Sequence, residues 1–183
     1  FQRGQAYGQR ELFFLGYNIL KEKQFPLAVC LAALEHHERM NGSGYPRALG
    51  GDKISLYAKI IAVACSYDAV TGDRPFREAR EGHEGMVDLL KNDGKQYDDL
   101  VIKALVYALS LYPIGSYVLL TNAKHGQVVD VNPENPRYPV VRIMGMKAAD
   151  GKETLVQTAE NGIRVLRAIA KSDVANELKP SDV

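Results

Sequence analysis

A mainly helical domain followed by a small antiparallel β extension is the fold class that this sequence predicts. Three observations lead there. Up to about residue 112, apolar residues recur at helical spacing. After Pro113 they give way to short runs rich in Val, Ile and Tyr, separated by turn residues. A length of 183 residues suits one medium domain with an appendage. The expected boundaries are 1–112 for the helical part and 113–183 for the β-rich part.

The first helix is expected over residues 11–23, with Leu12, Leu15, Ile19 and Leu20 spaced for one face. Pro26 fits the first turn of a second helix, because its missing N–H is an orphan there anyway. That helix should run through Leu27, Cys30 and Leu34 to His37. The segment 41–46 then ends it, since two glycines and a proline in six residues forbid continuation. Ser55 is a candidate N-cap for a third helix through Leu56, Ile60, Val63 and Tyr67. Gly72 and Pro75 punctuate, and residues 78–91 and 97–111 read as two more helices.

In the second part, residues 116–121, 126–131 and 138–144 read as strands. Turn-rich stretches at 122–126 and 132–136 divide them. Asp150-Gly151 is a further turn signal. Residues 163–169 are either a last strand or a short helix, with strand the preferred reading. Three or four short strands bury little surface alone, so this piece is expected to pack on the helical part.

Composition excludes several classes. The chain is 46% hydrophobic and 25% charged, as ordinary globular proteins are. A net charge of +1 gives no general attraction to nucleic acid or anionic membrane. No run approaches the roughly 18 apolar residues of a bilayer span. The two cysteines, Cys30 and Cys65, form no CxxC and sit in apolar segments, which suits a reducing cytoplasm. Residue 1 is Phe and no signal peptide is visible, so a fragment or a processed chain is expected.

The chemistry concentrates in the run Glu35-His36-His37-Glu38, followed by Asn41-Gly42-Ser43-Gly44-Tyr45-Pro46. Adjacent histidines on a helix diverge by about 100°, so they do not grip one ion together. They can serve two neighbouring metals, or one metal and one substrate; two-metal sites suit phosphodiester cleavage. The plain alternative is a helix-end pair, one ring packed and the other solvated. His83 and His125 read as loop or surface residues.

The combination HHExxNGxGYP over residues 36–46 resembles the HHExxDGxGYP signature of the HD-GYP family. The segment 60–77, IIAVACSYDAVTGDRPFR, is similar to that family's later motif ILAVADxYDALTxxRPYR. The segment 15–20, LGYNIL, is similar to its IGYEIL helix. The likeness covers roughly residues 10–112, and the β part more loosely resembles an extension that some members carry.

The resemblance implies an HD-type helical bundle and metal-dependent hydrolysis of cyclic-di-GMP by an iron or manganese centre with a bridging hydroxide. It puts His36 and His37 on metal-ligand positions. Arg74 and Arg77 fall where the family places cations near the ligand phosphates, and guanidinium forks suit phosphate. Tyr45 either contacts the nucleotide or closes the turn. Glu38, Asn41, Gly42, Gly44, Pro46 and Asp68 match the motifs, Asp68 with a capping or orienting part as one option.

Departures from the pattern are as informative. The family's adjacent His-Asp dyad does not occur in this chain; it would lie ahead of Phe1. A family ligand position falls on Leu12, which binds no metal. Another falls on Cys65, whose thiolate is a poor substitute for a carboxylate at a hard centre. Its place between Ile61 and Asp68 reads as a small core residue. The Asp of DGxGYP is Asn41.

The expectation is therefore a degenerate domain of cyclic-di-GMP signalling. It would sense the dinucleotide through Arg74 and Arg77, or serve as a surface for other signalling proteins. An active phosphodiesterase with an altered centre is the first alternative. A structural, homodimer-forming domain is the second. The cofactor is iron or manganese if the domain is active, and none otherwise.

Overall fold

The computed structural model describes residues 3–72, 80–148 and 151–177. In chain order it contains α1 (Arg3–Glu22), α2 (Leu27–Glu35), α3 (Leu56–Thr71), α4 (Gly82–Lys91) and α5 (Asp99–Leu109). There follow β1 (Tyr117–Leu120), β2 (His125–Asp130), β3 (Val140–Lys147), β4 (Glu153–Gln157), β5 (Val165–Ile169) and α6 (Lys171–Glu177). Two compact units emerge: Phe1–Ala69 with Asp88–Lys103, and Val70–Val87 with Ala104–Val183. Helices α3, α4 and α5 each contribute residues to both.

In the first unit, α2 stops at Glu35 instead of continuing through His37. Pro26 flanks it as N-cap, with φ −51° and ψ 140°, and is not inside its first turn. Proline is tolerated there because no helix bond needs its missing N–H, while its carbonyl accepts from the Val29 and Cys30 amides at 2.9 and 3.2 Å. The Ser55 hydroxyl accepts from the Ala58 amide at 3.4 Å, as the N-cap reading of α3 requires. Asp98 caps α5, accepting from the Leu100 amide at 2.9 Å and the Val101 amide at 3.4 Å. The same carboxylate takes a 3.0 Å bond from Lys59.

The apolar interior of this unit differs from the expected stripes. Cys30, Ala32, Leu34, Ile54, Ala58, Ala62 and Val63 are buried. Leu12, Leu15 and Ile19 of α1 are exposed, and so are Leu56 and Ile60 of α3. Cys65 is exposed as well, which corrects its reading as a core residue. Rotation about the helix is not the cause: Cys65 is at i+7 from Ala58 and i+3 from Ala62 and shares their face, but that face is buried at Ala58, Ala62 and Val63 and left open at Cys65.

In the second unit the sheet is antiparallel, with strand order β4-β3-β2-β1-β5. It has five strands, so the expectation of three or four is corrected; β4 and helix α6 were not foreseen. Residues 163–169 do contribute a strand, β5. The sheet carries its own core of Val118, Leu120, Val128, Val141 and Ile143, with Tyr112, Val156, Ile163 and Val165 packed on it. Inward residues alternate along β1, β2 and β3, as a sheet covered on one face demands. Gly126 takes an inward place because a Cβ there would fall 2.2 Å from Val141 Cγ1.

His83 is not in a loop and is half-buried. It lies on α4, stacks on Tyr112 at 4.9 Å and 13°, and its Nδ1 donates to the Leu111 carbonyl at 3.0 Å. His125 opens β2 and pairs with Leu119, so it too is outside a loop.

Candidate functional site

The first unit assembles the histidine pair from three pieces: α1, the end of α2 and the turn at 41–46. Because α2 ends at Glu35, His36 is its C-cap, and the pair sits where the chain leaves the helix. The divergence expected of two helical neighbours is reduced there. The two imidazole centroids are 4.5 Å apart, tilted by 53°. His36 Nδ1 lies 3.1 Å from the Ala32 carbonyl and 3.0 Å from the Ala33 carbonyl. Carbonyls only accept, so Nδ1 of His36 carries a hydrogen.

His37 is bound differently. Its Nδ1 and the Tyr45 hydroxyl share a 2.9 Å hydrogen bond, and the two rings stack at 4.9 Å and 16°. The Tyr45 amide donates to the His37 carbonyl at 3.3 Å. Burial, followed by the charges of His36 and Arg39, lowers the His37 pKa from 6.5 to about 4. His37 is therefore a neutral imidazole at neutral pH.

The turn is held by carboxylates. Glu38 is only 2% exposed; its Oε1 accepts from the Arg47 amide at 2.6 Å and its Oε2 from the Leu49 amide at 2.8 Å. Glu35, equally buried, accepts from the Arg47 guanidinium and, at 2.8 Å, from the Ser55 amide. Each carboxylate thus satisfies donors on the returning strand of the loop, as a buried charge must. Gly44 passes so close to the end of α2 that a Cβ would meet Glu38 Cα at 2.4 Å and His37 O at 2.5 Å. No other residue fits there without moving the backbone. Asn41 closes the turn, accepting from the Ser43 amide and hydroxyl at 3.0 and 2.7 Å and donating to the Gly94 carbonyl at 2.8 Å.

The structure brings His36, His37 and Tyr45 together, with Glu38, Asn41, Gly42, Gly44 and Pro46 forming the turn beneath them. Cys65 and Asp68 are exposed on α3. Arg74 and Arg77 lie outside the described residues. Glu35, part of the run that the sequence singled out but given no role there, serves the turn. Phe13 is the residue that the sequence reading missed, its ring 5.3 Å from His36, 5.0 Å from His37 and 5.6 Å from Tyr45. A cavity of about 540 Å³ takes in Met40, Asn41, Gly94, Lys95, Tyr97 and Asp98, but neither histidine.

The donor set does not fit an iron or manganese centre by itself. Two imidazoles face it, the neighbouring carboxylates are committed to the turn, and position 12 is a leucine that is 64% exposed. Among the described residues no three His, Cys, Asp or Glu side chains converge on one point as metal ligands do. No helix among them is long and apolar enough to cross a membrane.

Residues 10–101 match the HD domain family model. The chain is 29% identical over 150 residues to the cyclic di-GMP phosphodiesterase PdeB of Borreliella burgdorferi, covering 80% of this chain and 40% of that protein. It is 34% identical over 125 residues to the cyclic di-GMP phosphodiesterase PA4108 of Pseudomonas aeruginosa, covering 68% and 30%. To the cyclic di-GMP phosphodiesterase response regulator RpfG of Xanthomonas campestris it is 39% identical over 94 residues, covering 50% and 25%. The chain therefore spans less than half the length of each of these relatives. With that match extending over half of its residues and the HHExxNGxGYP turn built as described, the chain belongs to the HD domain family, in its HD-GYP branch.

Proposed function

We propose that this chain is a degenerate HD-GYP domain of cyclic-di-GMP signalling, one that binds the dinucleotide without efficient turnover. The observation that carries the reading is the donor set around the imidazole pair. Glu35 and Glu38 spend both of their carboxylates on the loop at 47–55. Leu12 and Cys65 occupy positions where the family pattern has ligands. Hydrolysis by a metal hydroxide needs fixed coordination and an oriented nucleophile, and a leucine and a thiol at those two positions weaken both.

Binding makes smaller demands. A cyclic dinucleotide offers two phosphates and two purines. Arg74 and Arg77 match the family's phosphate-contacting positions, and the guanidinium fork suits that anion. Tyr45 and the neutral His37 imidazole offer ring faces and a lone pair to a base. The relatives' names support cyclic-di-GMP as the ligand.

Calorimetric titration of the intact protein with cyclic-di-GMP, beside a turnover assay supplied with iron(II) or manganese(II), tests this. Saturable binding, lost in the Arg74→Ala/Arg77→Ala double variant, with no hydrolysis is the expected result. Metal-dependent hydrolysis that disappears in His36→Ala would overturn the degenerate reading. Neither binding nor turnover would leave the protein-interaction role.

A further inference from the structure

We propose that Phe13 is a positioning residue for the His36–His37 pair, fixing the orientation in which both rings meet a ligand. The proposal rests on the reading of that pair as ligand-facing. Each imidazole is anchored by hydrogen bonds at Nδ1 only, His36 to two helix carbonyls and His37 to Tyr45. Such a bond holds one edge of the ring; His37 is also stacked on Tyr45, whereas the plane of His36 has no stacking partner of that kind. Neither Nε2 has a hydrogen-bond partner among the described residues.

Phe13 supplies the missing constraint. Its ring stands edge-on to His36, at 75°, and tilted to His37, at 53°, with centroids within 5.3 Å of both. It also touches Tyr45, the ring that anchors His37. One side chain from α1 therefore contacts the other three rings of the cluster, which come from the α2 end and the turn. Edge-to-face and tilted contacts at these distances are the favoured aromatic geometries and have a definite angular preference. Sites whose orienting neighbours are removed keep their parts and lose their alignment. Phe13 follows directly on Leu12, yet Leu12 is exposed while Phe13 is turned into the cluster.

Long-range proton–nitrogen spectra of the histidine rings in the full chain, together with cyclic-di-GMP titration, test the proposal. In the unsubstituted protein each ring should show one sharp set of nitrogen resonances, with Nδ1 of His36 protonated. Phe13→Leu keeps an apolar side chain without a ring. It should broaden or average the nitrogen resonances of both histidines and weaken cyclic-di-GMP binding about ten-fold, the order seen when orienting neighbours of a site are lost. Phe13→Tyr should restore both. Ring spectra unchanged in Phe13→Leu would overturn the proposal, whatever happens to binding. Altered ring spectra in a protein that binds no dinucleotide even when unsubstituted would uphold the positioning role and sink the cyclic-di-GMP reading instead. Should Phe13→Leu lose its helical circular dichroism, Phe13→Met, with a more adaptable apolar side chain, carries the same comparison.

Discussion

At the scale of the residue, the site depends on a few buried or half-buried polar groups whose hydrogen bonds tie the end of α2 to the loop that follows. Glu38 shows the energetics most clearly. Its two oxygens satisfy the amides of Arg47 and Leu49, and removing them orphans both donors under a buried turn. Glu38→Ala should cost about 2–4 kcal/mol in urea unfolding, from unsatisfied donors and lost charge-assisted bonds. Glu38→Gln, which keeps one carbonyl acceptor, should cost visibly less. His37 sets a pH dependence. Its pKa is 6.5 ordinarily and about 4 in the fold. Above pH 6.5 the ring is neutral in both states and its contribution to stability is complete. As pH falls from 6.5 towards 4, the unfolded chain takes up a proton that the fold refuses, and stability drops. Below about 4 the loss levels off. Urea midpoints between pH 7.5 and 4 should show this slope, softened because the ring is half-exposed, and His37→Asn should flatten it. Of these residues, the sequence disclosed His36, His37, Glu38 and Tyr45 because they form one contiguous motif. Phe13 escaped, and Glu35 was named without a role, because both roles depend on contacts with segments distant in sequence.

Elements tell a similar story about caps and faces. Helix positions were legible because Pro26, Ser55, Gly72 and the 41–46 turn are local signals. Asp98 adds a cap that was not foreseen, and it does two jobs at once. Burial would raise its pKa, but the Lys59 hydrogen bond, the Leu100 and Val101 amides and the Lys59 charge together hold it below the usual range. Asp98→Asn keeps a capping oxygen and loses the ion pair, whereas Asp98→Ala loses both. Thermal unfolding should show Asp98→Ala less stable than Asp98→Asn by about 1 kcal/mol, the usual worth of an N-cap. Equal losses would assign the whole effect to Lys59. Strand positions were legible where alternation is strong, as in Val118-Leu119-Leu120 and Val140-Val141-Arg142-Ile143. Strand β4, Glu153–Gln157, was missed because its short run alternates weakly and its residues are mostly half-buried or exposed.

For the whole molecule, the change of pattern at Pro113 separated helix from sheet, and that division of fold class was correct. It did not foresee that the second compact unit also includes residues 70–87 and 104–112, because helices α3, α4 and α5 cross from one contact cluster to the other. Periodicity reports which side chains share a face and is silent about what covers it. Leu12, Leu15 and Ile19 line up as predicted and are nevertheless exposed.

Sequence by itself determined the family, the helical-then-β order and the identity of the imidazole pair, because motif spacing and turn chemistry are encoded within a few residues of one another. Tertiary structure decided that α2 ends before His36, that Cys65 is left exposed, that Glu35 and Glu38 belong to the turn, and that Phe13 closes on both imidazoles. Those outcomes depend on what covers each helix face and on contacts between segments nine or more residues apart, and neither is written in local spacing.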